Sequence, residues 1–252
     1  MSIRSYPVEV QSYFLEKITR ARPVNALSEM IWNSLDADAT SVDVGFVYNH
    51  LNTMTAIVVT DNGFGLPFTE APELFKRLGG SWKKAGATTK KEGRFLHGED
   101  GRGRFKAFAL GRIAEWDVTY ERDSDLWTFK ITMSNSNIRE VLISDETKAQ
   151  AGKTRGIILT ISELHKDYRA LTTGTGIQEL TEIFALYLAD YQAVSIGIDA
   201  HRIDPGKMIV SRHSINLDDI VDDEKTHRTR LEIIEWRSMT NRTLYLCNEK
   251  GF

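Results

Sequence analysis

Residues 27–40 read LSEMIWNSLDADAT, and this stretch decides the fold of the chain. On a helix that turns about 100° per residue, Glu29, Asn33 and Asp36 lie on one stripe. A second stripe of the same helix is apolar and would face a core: Val24, Leu27, Ile31 and Leu35. The carboxamide and the two carboxylates suit a hard cation such as Mg²⁺ and a bound water. A solvated polar helix face would explain the same stripe equally well.

A buried strand followed by a glycine turn is the second informative feature, in the stretch MTAIVVTDNGFGLP. Residues 57–60 are apolar and β-branched, which predicts a strand buried on both faces. The strand ends at Asp61, and Gly63 and Gly65 would let the main chain pass close to a flat or bulky group. The alternative is an ordinary Asn-Gly hairpin turn.

The third feature is a glycine-rich run that leads into a short helix, in HGEDGRGRFKAFALG at residues 97–111. Phe105 and Phe108 form the apolar pair of this helix, and Gly111 is a candidate for its C-terminal stop. Glycine-rich main chain before a helix favours anion binding, because unpaired N–H groups and the helix dipole point the same way. A flexible surface loop is the alternative.

In this order the three stretches resemble the GHKL ATPase superfamily of DNA gyrase B, the heat-shock chaperone, histidine kinases and MutL. Residues 29–37 resemble the family's first box, Glu-x-x-x-Asn-Ser-x-Asp-Ala. Residues 61–65 resemble the second, Asp-x-Gly-x-Gly, and residues 98–103 resemble the third, Gly-x-x-Gly-x-Gly. The MutL-, MORC- and chaperone-like branches are the most similar.

The resemblance implies an ATPase that hydrolyses ATP to ADP and phosphate, with ATP and Mg²⁺ as its ligands. Glu29 would be the general base that polarises the attacking water, and Asn33 would ligate Mg²⁺. Asp61 would accept a hydrogen bond from the adenine amino group, and a buried acceptor rejects bases that lack the matching donor. The other nucleotide-binding residues implied are Asp36, Ala37, Gly63, Gly65, Leu66, Lys83, Gly98, Gly101, Arg102, Gly103, Arg104, Phe105 and Thr160.

The family's fourth box, Gly-Thr-x-Val/Ile-x-Leu/Val, falls on residues 156–161, which read GIILTI. The threonine that usually joins the adenine network is Ile157 in this chain. Thr160 and Thr154 are the candidates to replace it.

Residues 79–100 are predicted to be a mobile nucleotide lid, since they are rich in glycine and lack apolar periodicity. Ser81 and Lys83 resemble the start of the lid in MutL-like and MORC-like members. Residues 83–106 contain eight Lys or Arg against three acids, in a chain of net charge −3. A basic lid would bring cations onto the polyphosphate. A solvated basic loop and a nucleic-acid patch are the alternatives.

Composition indicates an ordinary globular protein of 252 residues with 41% hydrophobic residues, enough to bury a full core. The single cysteine, Cys247, excludes an internal disulfide and favours a reducing compartment. No apolar run reaches the length of a membrane span, and the common P-loop pattern is absent. The expected location is the cytoplasm, with nuclear or nucleoid association left open.

The expected fold class is α+β, an α/β sandwich with a mostly antiparallel sheet and helices on one face. Residues 1–205 would form the ATP-binding domain. Residues 206–252 would be a linker and the start of a truncated, transducer-like second domain. The family's transducer supplies a Lys or Arg to the γ-phosphate, and no such residue is assigned within this chain. Slow hydrolysis is therefore expected.

The predicted function is Mg²⁺-dependent ATP binding and slow hydrolysis, which couple nucleotide state to lid closure and dimerisation. The resemblance implies an ATP-dependent homodimer in the full-length protein and no membrane partner. Two other classes remain: a non-hydrolysing scaffold gated by nucleotide, and an ATP-regulated DNA-binding module that uses residues 83–106.

Overall fold

In the computed structural model, the apolar stripe of residues 27–40 lies on a helix, α1, that spans Pro23–Asp36. Pro23 lies in the first turn, where its missing N–H group is not needed and its fixed φ favours the helix. All four residues of the predicted apolar stripe are buried: Val24, Leu27, Ile31 and Leu35. The amphipathic helix predicted from the sequence is confirmed.

The structure describes residues 3–7, 21–76, 88–89, 91–94, 96–97, 103–222 and 225–237. Two predicted segments lie partly outside these ranges: the lid at residues 79–100 and the second domain at residues 206–252.

The strands are β1 (Ile3–Pro7), β2 (Ser41–Tyr48), β3 (Met54–Asp61), β4 (Gly111–Arg122), β5 (Asp125–Ser134), β6 (Glu140–Ser144), β7 (Thr147–Lys148), β8 (Gly156–Leu164), β9 (Ser195–Ile198), β10 (His201–Arg202), β11 (Ile209–Asn216), β12 (Ile220–Asp222), β13 (Lys225–His227) and β14 (Arg230–Trp236). The further helices are α2 (Ala71–Lys76) and α3 (Gly174–Asp190), and the 3₁₀ helices are Gly103–Ala109, Asn135–Asn137, Arg169–Leu171 and Pro205–Lys207.

Within the described ranges, ten strands form one sheet in the order β1-β6-β5-β4-β8-β3-β2-β9-β10, with β7 paired to β5. The neighbouring strands are antiparallel except β2 and β9, which are parallel. The predicted α+β class with a largely antiparallel sheet is confirmed. Two further two-stranded ladders join β11 to β14 and β12 to β13.

The core lies between one face of the sheet and the helices. The sheet residues buried there alternate along each strand and include Val42, Val44, Ile57, Val59, Trp116, Val118, Leu159 and Ile161. The opposite face carries partly exposed charges, and there Lys130 lies 3.7 Å from Glu115 and 3.6 Å from Asp117. The two faces therefore differ as the predicted sandwich requires.

Helix α3 covers the sheet with an amphipathic face. Leu180, Phe184 and Tyr187 are buried, and Ile183 is partly buried against the same core. Among the helices in the described ranges, none is both long and apolar enough to cross a membrane.

The structure differs from the predictions after the third glycine box. The predicted helix at 103–111 is a 3₁₀ helix that ends at Ala109, and Gly111 begins β4 instead of capping the helix. Gly111 pairs with Leu164 of β8, and a Cβ on Gly111 would collide with the carbonyl of Ser162. Glycine is required there by the close approach of two strands.

The chain beyond residue 205 also contains more regular structure than the predicted linker. Ile209–Asn216 forms β11 and pairs antiparallel with β14. Cross-strand pairing of polar residues, such as Ser214 with Glu232, gives little apolar periodicity by which to recognise β11 in the sequence. The assignment of residues 206–252 to a second domain stays a prediction.

Replacing Leu27 by alanine should lower the free energy of unfolding by about 2–5 kcal/mol, because Leu27 is fully buried in the core. Leu51→Ala is the matched control, since Leu51 is 84% exposed in the turn after β2 and should cost less than about 0.5 kcal/mol. Urea denaturation of both variants measures the difference. Equal effects would contradict the packing of α1.

Candidate functional site

The first and third boxes meet where Gly103 packs against α1. A Cβ on Gly103 would lie 2.9 Å from Glu29 Oε2 and 3.0 Å from Asn33 Oδ1. Only glycine lets the main chain pass so close to both side chains without displacing them. The polar stripe of α1 therefore faces the start of the glycine-led 3₁₀ helix.

Asp61 ends β3 with a carboxylate that is held by three donors. The Ser34 hydroxyl donates to Asp61 Oδ2 at 2.8 Å, and the N–H groups of Gly63 and Ile157 donate to Oδ1 at 2.9 and 3.2 Å. Burial raises the pKa of Asp61, and the three hydrogen bonds oppose that rise. A carboxylate has about four acceptor positions. One position, on Oδ2, therefore remains for a further donor.

The turn after Asp61 lies between the end of α1 and β4, and the chain continues into α2 instead of returning as a hairpin. The N–H of Phe64 donates to the Ala37 carbonyl at 2.9 Å, and a Cβ on Gly63 would lie 2.7 Å from the same oxygen. Gly65 has a φ of +69° and lies against the Thr119 carbonyl. These contacts place Ala37, Gly63 and Gly65 together beside Asp61. Leu66 follows, partly buried against the core.

The fourth box reaches Asp61 through its main chain. Gly156 has a φ of +138° and a Cβ there would collide with the Asp61 carbonyl, so glycine is required. This close approach brings the Ile157 N–H to the carboxylate. The side chain of Ile157 is apolar and packs against the edge of the core.

Thr160 is not brought to the site, which corrects its predicted role. Residues of a strand alternate between the two faces of the sheet. Leu159 and Ile161 are buried on the helix side, whereas Ile158 is 40% exposed on the other side, the side to which Thr160 also belongs. Thr154, the other candidate, is exposed in the turn before β8.

Asp36 binds the end of the predicted lid segment. The N–H of His97 donates to Asp36 Oδ1 at 2.8 Å, and the His97 ring stacks on Trp32 with 4.1 Å between ring centroids. Asp36 is buried. Its carboxylate therefore positions the chain that leads to the third box.

A buried ion pair between Asp38 and Arg94 fixes the residues just before His97. The N–H groups of Lys91 and Glu92 donate to the Asp38 carboxylate at 3.0 and 3.3 Å. Arg94 lies 3.6 Å from Asp38 Oδ1, donates to the Ala39 carbonyl at 2.9 Å, and both charged side chains are 3% exposed. We call this set of contacts the Asp38 clamp. It ties residues 91–94 to the end of α1, where the sequence predicts a mobile loop.

Lys106 forms an ion pair with Glu29, the predicted general base. The two side chains are 29% and 25% exposed. Residues three apart eclipse in a 3₁₀ helix, so Lys106 lies on the same face as Gly103 and reaches the carboxylate that Gly103 packs against. The sequence counts Lys106 among the cations of residues 83–106 without assigning it to the site.

Arg104 and Phe105 have side chains directed away from this polar face. Phe105 is fully buried, and the Arg104 guanidinium lies over the rings of Phe75 and Phe105 and donates to the Leu74 carbonyl. Burial lowers the pKa of Arg104 to about 10. Their predicted contacts to nucleotide would have to use the main chain.

Four predicted site residues lie outside the described ranges: Lys83, Gly98, Gly101 and Arg102. Among the cations of residues 83–106 that the structure does describe, Arg94, Arg104 and Lys106 have partners within the protein. Lys91 is 67% exposed. This described part therefore does not form a continuous basic surface.

Two residues at the site were not predicted as site residues, namely Ser34 and Lys106. Ser34 belongs to the quoted Asn-Ser pair of the first box, so the motif held a usable signal. The partner of Lys106 lies 77 positions away in the chain, and only the packing of the 3₁₀ helix on α1 reveals it.

The donor set suits Mg²⁺ bound together with a polyphosphate. Asn33 offers an amide oxygen and Glu29 a carboxylate on the same face of α1, and Mg²⁺ takes most of its remaining ligands from phosphates and waters. In the described ranges no group of three or more His, Cys, Asp or Glu could hold a metal by itself. Asn33 is therefore the protein ligand that fits.

An α/β sandwich with a Glu and an Asn facing a glycine-led turn, and a buried Asp acceptor at a strand end, defines the GHKL class of ATPase domain. Residues 21–166 match the family described as Histidine kinase-, DNA gyrase B-, and HSP90-like ATPase. The chain belongs to this family. Membership supports ATP binding.

Two similar proteins carry MutL in their names. The chain is 28% identical over 173 residues to the Putative MutL protein homolog 1 of Schizosaccharomyces pombe, which covers 66% of this chain and 23% of that protein. The chain thus spans under a quarter of that relative. The solved Aquifex aeolicus MutL ATPase domain complexed with ADP is similar at 15% identity and a TM-score of 0.43, covering 73% of this chain and 64% of that one.

Replacing Asp38 by alanine should lower the free energy of unfolding by about 3–5 kcal/mol, because Arg94 would be left buried without its carboxylate. Asp125→Ala removes a surface ion pair to Lys148, with side chains 55% and 64% exposed, and should cost at most about 1 kcal/mol. Chemical denaturation compares the two variants. A small cost for Asp38→Ala would contradict the clamp.

Proposed function

We propose that this chain binds ATP with Mg²⁺ and hydrolyses it slowly to ADP and phosphate. The observation that carries the proposal is the arrangement along α1. Glu29 and Asn33 of α1 face Gly103, and the next residue of the same helix, Ser34, donates to the buried Asp61. A single rigid helix would therefore position the residues that bind the adenine and those that face the phosphates.

At the adenine end of the site, the remaining acceptor position of Asp61 would accept a hydrogen bond from the adenine amino group. Its other positions are filled by Ser34, Gly63 and Ile157, so the carboxylate is fixed in direction. Guanine presents a carbonyl where adenine presents its amino group, and two acceptors facing each other would leave Asp61 unpaired. Ile157 contributes a main-chain donor and an apolar surface, without the hydroxyl usual at this position.

At the phosphate end, Glu29 would orient the attacking water and accept its proton. Asn33 would ligate Mg²⁺, which when bound offsets the negative charge of the phosphates. Gly103 lets the main chain of the third box pass close to both side chains, so that its N–H groups could reach the same phosphates. The lid would close over the nucleotide from its attachment at the Asp38 clamp.

ATP-dependent homodimerisation of the longer protein and a cytoplasmic location are parts of the same proposal. A nucleotide-gated scaffold that does not hydrolyse ATP is the second candidate, favoured by the ion pair that engages Glu29. The two candidates differ in whether Glu29 is needed for turnover.

Glu29→Gln should reduce ATP turnover about a hundredfold or more, because glutamine cannot accept the proton of the water. The variant should keep its ATP affinity, whereas Asn33→Ala should lose both turnover and Mg²⁺-dependent affinity. Phosphate release and isothermal titration calorimetry measure the two quantities. Glu73→Gln, on the exposed side of α2, is the matched control. Unchanged turnover in Glu29→Gln would favour the scaffold.

Asp61→Asn should weaken ADP binding at neutral pH by about tenfold or more. The amide NH₂ group would replace one carboxylate oxygen, so it would either face the N–H groups of Gly63 and Ile157 or take the place of the oxygen that accepts from adenine. Titration calorimetry measures the loss, with Asp117→Asn on the open face of the sheet as the matched control. Wild-type affinity in Asp61→Asn would contradict adenine recognition by this carboxylate.

The Asp61 side chain should also give the wild type a distinctive pH dependence of stability. Burial raises the pKa of Asp61 above the ordinary value of 3.8, so the folded state takes up this proton at a higher pH than the unfolded state. The contribution of Asp61 to stability should therefore grow as pH falls from the raised pKa towards 3.8 and be lost as pH rises. Asp61→Asn should remove this component, as unfolding free energies across that window will show.

A further inference from the structure

The ion pair between Lys106 and Glu29 does little to hold the fold together. Pairs with this degree of exposure contribute about 0–1 kcal/mol. The 3₁₀ helix that carries Lys106 is already anchored by side chains with no exposure, those of Phe105, Ala107 and Phe108. The stability of the fold therefore does not explain why a lysine lies beside Glu29.

Lys106 also forms an ion pair with the carboxylate that the proposed chemistry needs, that of Glu29. Its ammonium contacts Glu29 Oε1, while Gly103 packs against Oε2. In this arrangement the ammonium competes with a water for the Glu29 carboxylate. Movement of the ammonium to another anion would release both oxygens for the water.

A terminal phosphate provides the reason for that movement. A water oriented by Glu29 can attack only a phosphorus within a few ångströms of the carboxylate, so the phosphate oxygens must lie near Lys106. The terminal phosphate carries more negative charge than a carboxylate. Lysine is a compact point charge on a flexible four-carbon stem and commonly binds phosphate.

We propose that Lys106 is the residue of this chain that recognises the terminal phosphate of ATP. Without nucleotide, or with ADP, it pairs with Glu29; with ATP it moves to the terminal phosphate and releases Glu29. The inference rests on the proposed function and adds a cation from within residues 1–252, where the sequence assigned none.

In the reaction, the water oxygen forms a bond to the terminal phosphorus and a water proton passes to Glu29. The bond from that phosphorus to the ADP oxygen breaks, and its electron pair leaves with ADP. Lys106 contacts the phosphoryl oxygens throughout and offsets their charge. Lys106 thereby links the presence of a third phosphate to the release of Glu29 as the general base.

The test compares a non-hydrolysable ATP analogue with ADP, both with Mg²⁺, by titration calorimetry. Lys106→Gln should weaken binding of the analogue about tenfold or more and change ADP binding less than about twofold. Lys106→Arg should recover part of the analogue affinity because it keeps the charge. Lys130→Gln is the matched control, since Lys130 pairs with carboxylates on the open face of the sheet.

Glu29→Gln provides an independent measurement, because it removes the competitor for Lys106 and should bind the analogue at least as tightly as the wild type. Equal weakening of analogue and ADP in Lys106→Gln, or no weakening of either, would overturn the inference and leave the proposed function standing. Failure of the wild type to bind ADP would instead overturn the proposed function itself. A weaker analogue affinity in Glu29→Gln would also count against Lys106.

Discussion

The buried carboxylate of Asp61 is the constraint on which the rest of the site depends. A charge taken out of water must be matched by hydrogen bonds, and Asp61 draws its three donors from three separate parts of the chain. α1 provides Ser34, the turn after β3 provides Gly63, and β8 provides the main chain of Ile157. Burial of one side chain therefore fixes the position of the helix relative to two strands. Gly156 is a consequence, since any larger residue would push β8 away from Asp61.

Because Ser34 lies on α1, the same constraint positions the polar stripe of that helix, which carries Glu29 and Asn33. Glu29 and Ser34 are five residues apart, which is about 7.5 Å along a helix axis. The helix is held from its other side by the buried leucines and isoleucine of the apolar stripe. A shift of α1 would therefore cost core packing and the hydrogen bond to Asp61 together. The apolar core thus keeps Glu29, the proposed general base, and Asp61, the proposed adenine acceptor, at a constant separation.

Most of the fold and part of the site could be predicted from the sequence because they depend on local periodicity. The stripes of α1 follow from a spacing of three to four residues, and the strand that ends at Asp61 follows from a short apolar, β-branched run. Thr160 could not be placed correctly, since the face it occupies depends on the register of β8 within the sheet. The pairing of Lys106 with Glu29 depends on tertiary packing. The sequence predicts that Gly111 ends a helix, whereas in the structure glycine is required there because β4 and β8 approach closely.

The contacts around Asp38 change what a lid in this chain can be. Segments that open readily have few buried contacts, yet residues 91–94 are held by a buried ion pair and by main-chain hydrogen bonds to its carboxylate. The stacking of His97 on Trp32 adds a second attachment to α1. Residues 91–94 of the predicted lid are therefore tied to α1 through the Asp38 clamp. Asp38 follows directly after α1, so the clamp joins this part of the predicted lid to the same rigid helix that carries Glu29, the proposed general base.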